Sequence, residues 1–175
     1  KSRVPFAAEL YLGHLRYSTT HHKSGVTHIH PFLRRHNWKN RTLVLAGNFN
    51  LTNVDELFNY LTLKGQHPRD TSDTFLMLEQ LGFKLDMEVQ KEYDLIKQRY
   101  TNDLKSTQKI EDQLDIASVI RQSEHLWDGG YVIAGMLGHG DAFAFRDPKG
   151  IRPAYYYKDD EIVVVASERP VIQTC

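Results

Sequence analysis

A chain of 175 residues, 41% hydrophobic and 25% charged, is long enough to bury one core and too ordinary in composition to be disordered or fibrous. Its 22 Lys and Arg balance 22 Asp and Glu, so there is no bulk positive field to draw nucleic acid or anionic lipid, and neither is an expected partner. No apolar stretch approaches the ~20 residues a membrane-spanning helix needs. The opening Lys1-Ser2-Arg3-Val4-Pro5-Phe6 leads into no signal-peptide core, so the expected location is the cytoplasm. The single cysteine, Cys175, allows no intramolecular disulfide, which fits a reducing compartment.

In chain order, Leu10, Tyr11, Leu12, Leu15 and Tyr17 predict a first strand over residues 10–17, closed by the polar Ser18-Thr19-Thr20. Thr42-Leu43-Val44-Leu45-Ala46 predicts a second strand, halted by the turn-rich Gly47-Asn48-Phe49-Asn50, which would present backbone N–H groups at a site. Asn53 and Glu56 have capping-box spacing, Val54, Leu57, Phe58 and Leu61 share one helical face, and Gly65 can close that helix. Thr71-Ser72-Asp73 starts a second helix that buries Phe75, Leu76, Leu78 and Leu81, ends at Gly82 and packs on the first. Residues 84–127 carry helical spacing with a break at 102–107, so two further helices are expected before Asp128-Gly129-Gly130.

The last third changes period: residues 131–137, 142–146, 151–157 and 162–166 are β-rich and joined by short turns, which predicts an antiparallel meander. Strands on both sides of amphipathic helices predict α+β layers. Both ends read as cut: the chain opens just ahead of a predicted strand and stops soon after the helix-like Ser167-Glu168-Arg169-Pro170, so a fragment is expected.

Several polar groups carry chemistry or invite it. Arg34, Arg35, His36, Lys39 and Arg41 could bind an anion, but a solvated face is the favoured reading and they are given no role. His21, His22, His28 and His30 form a cluster in which His28 and His30 could share a strand face as metal ligands. With no paired cysteine and no helical His-x-x-x-His spacing, ordinary polar contacts are favoured and no metal site is assigned. Neither a Gly-x-Ser-x-Gly elbow nor a phosphate-cradling Gly-Lys-Ser loop occurs, which leaves serine hydrolase and nucleotidase readings without support. Taken alone, Arg16 reads as an ion pair, Asn48 as a turn asparagine and Asp73 as a helix-start aspartate.

Seven short motifs stand in one order: Gly13-His14-Leu15-Arg16-Tyr17-Ser18-Thr19, His30-Pro31-Phe32, Asn48-Phe49-Asn50-Leu51-Thr52-Asn53, Thr71-Ser72-Asp73-Thr74, Gly129-Gly130-Tyr131, Arg146-Asp147-Pro148-Lys149-Gly150-Ile151-Arg152-Pro153 and Ala166-Ser167-Glu168. In that order the chain resembles the class II glutamine amidotransferase domain of amidophosphoribosyltransferases, within the N-terminal-nucleophile hydrolases. The resemblance implies an α+β fold, a four-layer α/β/β/α sandwich of antiparallel sheets between helices, here lacking its N-terminal part. It implies hydrolysis of glutamine to glutamate and ammonia through a cysteinyl thioester, the ammonia passing to phosphoribosyl diphosphate in purine biosynthesis.

Residue by residue, the resemblance gives Arg16 the substrate α-carboxylate, Asp73 the α-ammonium and Thr19 a weaker hydroxyl contact. Asn48 and the backbone N–H of Phe49 correspond to the oxyanion hole. Phe49 stands where the family usually has Gly, His30 where Gln is common, and the double His after Thr20 is a further departure. The family's nucleophile, an amino-terminal cysteine, lies several tens of residues ahead of the Arg16 position; Lys1 is not it and Cys175 has no terminal amine, so the chain is expected to be inactive alone. Glutamine and a downstream phosphoribosyltransferase domain are the implied partners, in a full-length homo-oligomer. No cofactor is implied for this domain, and magnesium belongs with the absent transferase domain. Two rival readings stay open: a catalytically silent glutamine-binding or interaction domain, and a class II amidotransferase with another ammonia acceptor.

Overall fold

The strand β2 (Leu43–Leu51) alternates between two environments, and that alternation organises the molecule. In the computed structural model, which describes residues 8–15, 29–99 and 103–174, β2 pairs along its whole length with the antiparallel β3 (Gly129–Leu137), from Leu43 opposite Leu137 to Leu51 opposite Gly129. The short β1 (Phe32–Arg34) flanks β2, and β4 (Ala142–Arg146) flanks β3, giving a four-stranded antiparallel sheet in the order β1-β2-β3-β4. Leu43, Leu45 and Leu51 of β2 and Tyr131, Ile133 and Leu137 of β3 turn one face to the helices and are buried.

That face is covered by α1 (Val54–Leu63), α2 (Asp73–Arg99), α3 (Asp103–Gln113) and α4 (Ile116–Glu124). Leu57 and Leu61 of α1, Leu76, Leu78, Leu81, Leu85 and Val89 of α2, Ile110 of α3 and Val119 of α4 complete one continuous core with the sheet. Residues in this core that recur every three or four positions are what hold each helix in place, since short helices are marginal by themselves. Asp115 caps α4 by accepting the Ser118 N–H at 2.9 Å. Beyond β4 the chain forms a separate two-stranded antiparallel sheet, β5 (Tyr155–Lys158) with β6 (Val163–Ala166), and a last turn of helix, α5 (Arg169–Gln173).

The α+β class, the antiparallel strands and the pairing of α1 with α2 agree with expectation. Several local expectations do not hold. Over residues 10–15 the backbone is not a strand, and residues 16–17 lie outside the described residues. Leu15 is 99% exposed there; β-prone residues make no strand without a partner ladder and a face to bury. The Gly47-Asn48-Phe49-Asn50 stretch is not a turn. It continues β2, because β3 offers an unbroken partner, and a Cβ at Gly47 would collide with the Val132 carbonyl.

Nor does the Asn53 capping box form: the Asn53 amide instead donates to the Leu126 carbonyl at 3.0 Å and accepts the Asp128 N–H at 3.1 Å, tying α1 to the turn before β3. Gly82 does not end a helix, and α2 runs 27 residues through it. The missing side chain makes room for Arg34, whose Cδ a Cβ there would strike and whose guanidinium pairs with Glu79 at 3.3 Å and Asp86 at 2.6 Å. After α2 there are two more helices, α3 and α4, of which α3 begins inside the expected 102–107 break. The meander is also broken: residues 151–154 are not strand, so β5 and β6 stand apart from the main sheet.

Within the basic group at 34–41, expected as a solvated face, Arg34, Lys39 and Arg41 instead make structural contacts. Besides the Arg34 pairs, Lys39 bridges Glu111 at 2.8 Å, and Arg41 stacks over Trp38 at 4.4 Å while donating to Gln90.

Candidate functional site

The cleft that gathers the sequence motifs lies where β1 stops short. Only Leu43–Leu45 of β2 has a β1 partner, so beyond Leu45 that edge of β2 has no strand partner among the described residues. In an antiparallel ladder successive residues point their N–H and C=O groups to opposite sides. On β2 the even residues serve β3: Thr42 C=O accepts Gly138 N–H and Thr52 N–H reaches Asp128 C=O. The odd residues serve the other side, as the Gly47 N–H shows by donating to His30 Nδ1 at 3.3 Å. By the same alternation the Phe49 N–H points out over that edge of β2. Phe49 needs no left-handed backbone to do this, since it lies in a regular strand opposite Tyr131.

A cavity of about 1250 Å³ opens against this edge. Asn48 and Phe49 line one wall, and the start of α2 supplies another with Ser72, Asp73 and Thr74. Asp73 Oδ1 accepts the Thr74 N–H at 2.7 Å, and its second oxygen has no hydrogen bond among the described residues. Asp70 folds back on the Ser72 N–H at 2.6 Å and fixes the entry into α2. The third wall comes from the far end of the chain, where Ala166, Ser167, Glu168 and Val171 follow β6.

Three predicted site residues, Asn48, Phe49 and Asp73, therefore share one cleft although α1 and a loop separate them in sequence. Arg16 and Thr19 lie outside the described residues; their neighbours Gly13, His14 and Leu15 line the same cleft. His28 is likewise outside. His30 stacks on His14 with ring centroids 4.3 Å apart, meets the Phe32 edge at 5.0 Å and tilts against Phe49 at 5.6 Å. An aromatic bed thus carries the strand edge that aims the Phe49 N–H.

Sequence reasoning gave no role to Asp147, which the structure makes a hub. It is 2% exposed, and its carboxylate accepts N–H groups from Ile151 at 2.9 Å, Arg152 at 3.1 Å and Tyr131 at 3.3 Å. Burial pushes its pKa up, but these N–H groups and that of Gly150 outweigh burial and hold it below the usual carboxylate value. Ile151 and the Arg152 stem lie over Gly130, where a Cβ would stand 2.7 Å from Ile151 Cγ2. The Asp-Pro-Lys-Gly turn with hydrogen-bondable groups four and five residues on was the sequence signal for such a hub. Burial, with Glu124 and Asp147 nearby, pushes the Tyr131 phenol up to about 12.

This α+β fold occurs in solved phosphoribosylpyrophosphate amidotransferase structures. The glutamine phosphoribosylpyrophosphate amidotransferase of B. subtilis, solved with ADP and GMP, superposes with a TM-score of 0.63 over 91% of this chain and 28% of its own, at 24% identity, a level that shows the fold alone. In sequence, the chain is 34% identical over 152 residues to the amidophosphoribosyltransferase of Pasteurella multocida and 31% identical over 170 residues to that of Escherichia coli. These matches take in 86% and 93% of this chain but 26% and 29% of the relatives, so the chain spans just over a quarter of their length. No protein-family model matches the chain.

Proposed function

We propose that this chain is the glutamine-handling part of an amidophosphoribosyltransferase-type enzyme of purine biosynthesis, a partial class II glutamine amidotransferase domain. The observation that carries this reading is the convergence of Asn48, the outward Phe49 N–H and the half-free carboxylate of Asp73 on one cavity. Free glutamine presents a cationic amine, an anionic carboxylate and an amide whose oxygen gains charge during hydrolysis. Asp73 suits the amine, and Asn48 with the Phe49 N–H suits the developing oxyanion, because preorganised donors act most strongly where water is excluded. Arg16 would take the carboxylate and Thr19 a lesser contact. Phe49 is compatible with this role because a strand residue, unlike a turn residue, aims its N–H without positive φ.

The second face of the main sheet, with Val44, Ala46, Val132, Ala134 and Met136, is apolar and supports the four-layer sandwich, a second sheet lying over it. The nucleophile would be an amino-terminal cysteine ahead of the Arg16 position, the acceptor phosphoribosyl diphosphate held with magnesium by a downstream transferase domain, and the assembly a cytoplasmic homo-oligomer. Without that cysteine the 175-residue chain binds glutamine and does not hydrolyse it.

Calorimetric titration of L-glutamine against wild type and Asp73→Asn tests the site: affinity falls by about tenfold or more in the variant, as for a lost charge-assisted hydrogen bond. Equal affinity would remove Asp73 from the site, and glutamate release by the purified chain would refute its expected inactivity.

A further inference from the structure

The cleft contains a guanidinium with no task in the reading above. Arg152 lines it together with the α2 start, and its side chain makes no hydrogen bond or ion pair among the described residues; its Nε is buried without a partner. Other arginines have side-chain partners: Arg34 holds Glu79 and Asp86, and Arg41, whose Nε is also buried without a partner, donates through its terminal nitrogen to Gln90. A donor desolvated and left unpaired costs stability, so its retention calls for a partner that arrives from outside. Asp147 does not pair with it: the Asp147 oxygens accept backbone N–H groups, including that of Arg152 itself.

The surroundings fix Arg152 in place. Asp147 grips its backbone N–H, and its stem rests over the bare backbone of Gly130, so little side-chain freedom remains to be lost on binding. Resting on the glutamine reading of this cleft, we infer that Arg152 is a ligand-binding residue that helps to hold the carboxylate of the small molecule held against Asp73. A planar guanidinium can grip a carboxylate through two parallel N–H bonds, which a lysine cannot reproduce. Arg152 and Asp73 then supply a cation and an anion for a zwitterionic ligand, and the Arg-Asp-Pro-Lys-Gly-Ile-Arg-Pro segment is the scaffold that presents the cation.

The test is a titration of the wild-type chain, Arg152→Gln, Arg152→Lys and Asp73→Asn with L-glutamine and with glutarate, which keeps carboxylates and lacks the ammonium. Amide chemical shifts of Asn48, Phe49 and Thr74 report binding, and circular dichroism reports folding. Arg152→Gln is expected to weaken both ligands by about tenfold or more, Arg152→Lys to recover part of that loss, and Asp73→Asn to weaken glutamine alone. Unchanged glutamine affinity in folded Arg152→Gln or Arg152→Lys overturns the role of Arg152 and leaves the glutamine reading intact. Glutarate binding that depends on Arg152, with no glutamine binding, keeps the carboxylate site and refutes the glutamine reading. No binding of either ligand to wild type overturns both.

Discussion

The helix-covered sheet and the β5–β6 hairpin are built from similarly apolar strands, yet they are held by different physics. In the main sheet, Leu43, Leu45, Tyr131 and Ile133 are buried against α1 and α2, so dispersion and area burial fix the strands. In the hairpin, Tyr156 is 79% and Val163 65% exposed, and no residue of β5 or β6 is fully buried. A two-stranded sheet is marginal in water, so the hairpin owes its placement to what precedes it. That is the Asp147 hub, which closes the turn after β4 through backbone hydrogen bonds instead of packing. The cleft lies between the two regions, with rigid strand edge and helix start on one side and the residues after β6 on the other.

Perturbing each region in turn breaks or sharpens this contrast. The largest effect belongs to the core: Leu81→Ala, at a fully buried position of α2, lowers unfolding free energy by about 2–5 kcal/mol in urea titration. A loss under 1 kcal/mol would show that the helices do not carry the sheet.

Next comes the hub. Asp147→Asn removes the charge from a threefold acceptor and costs about 1.5–3 kcal/mol at neutral pH. Because the folded pKa lies below the ordinary 3.8, this stability is present above the unfolded pKa and is lost as pH falls through the folded value. The difference in melting temperature between wild type and variant should therefore shrink on acidification below about pH 4. A difference that stays constant with pH would assign the hub's strength to shape alone.

Smaller again is Tyr131→Phe, which deletes a buried hydroxyl that has no hydrogen-bond partner among the described residues and is expected to be neutral or stabilising by up to about 1 kcal/mol. A raised folded pKa means the phenol's contribution is intact below the unfolded value near 10 and declines as pH rises toward about 12. The variant should lack that alkaline loss in a thermal melt series. Last, Tyr156→Ala on the exposed hairpin should shift stability by no more than about 0.5 kcal/mol. A larger loss would mean that something covers this strand.

The legible parts of the sequence were those with local causes. The spacing of Val54, Leu57, Phe58 and Leu61 announces α1, and the positive φ of Gly65 after it is what a helix-closing glycine provides. The illegible parts were decided by partners remote in sequence. Gly82 reads as a stop and is a socket for Arg34; Gly47-Asn48-Phe49-Asn50 reads as a turn and is a strand because β3 runs alongside it; Asn53 reads as a cap and is a tie to residues 126–128.

The same division runs through the site. That Asn48, Phe49 and Asp73 belong together was expected because their motifs stand in a known order, and they line one cavity, whereas Arg152 was quoted within a motif without a role. The role inferred for it depends on the Asp147 carboxylate being engaged by backbone N–H groups and on the guanidinium being left unpaired among the described residues, which spacing cannot express. Sequence by itself determined which helices form, which strands are apolar and which residue types can meet an amino acid's charges, because propensity and periodicity are properties of neighbours along the chain. Only tertiary structure decided which glycines make room and, among the described residues, which edge of β2 has no strand partner and which charged group is unpaired. Collision, strand pairing and hydrogen-bond saturation are settled by groups brought together in space.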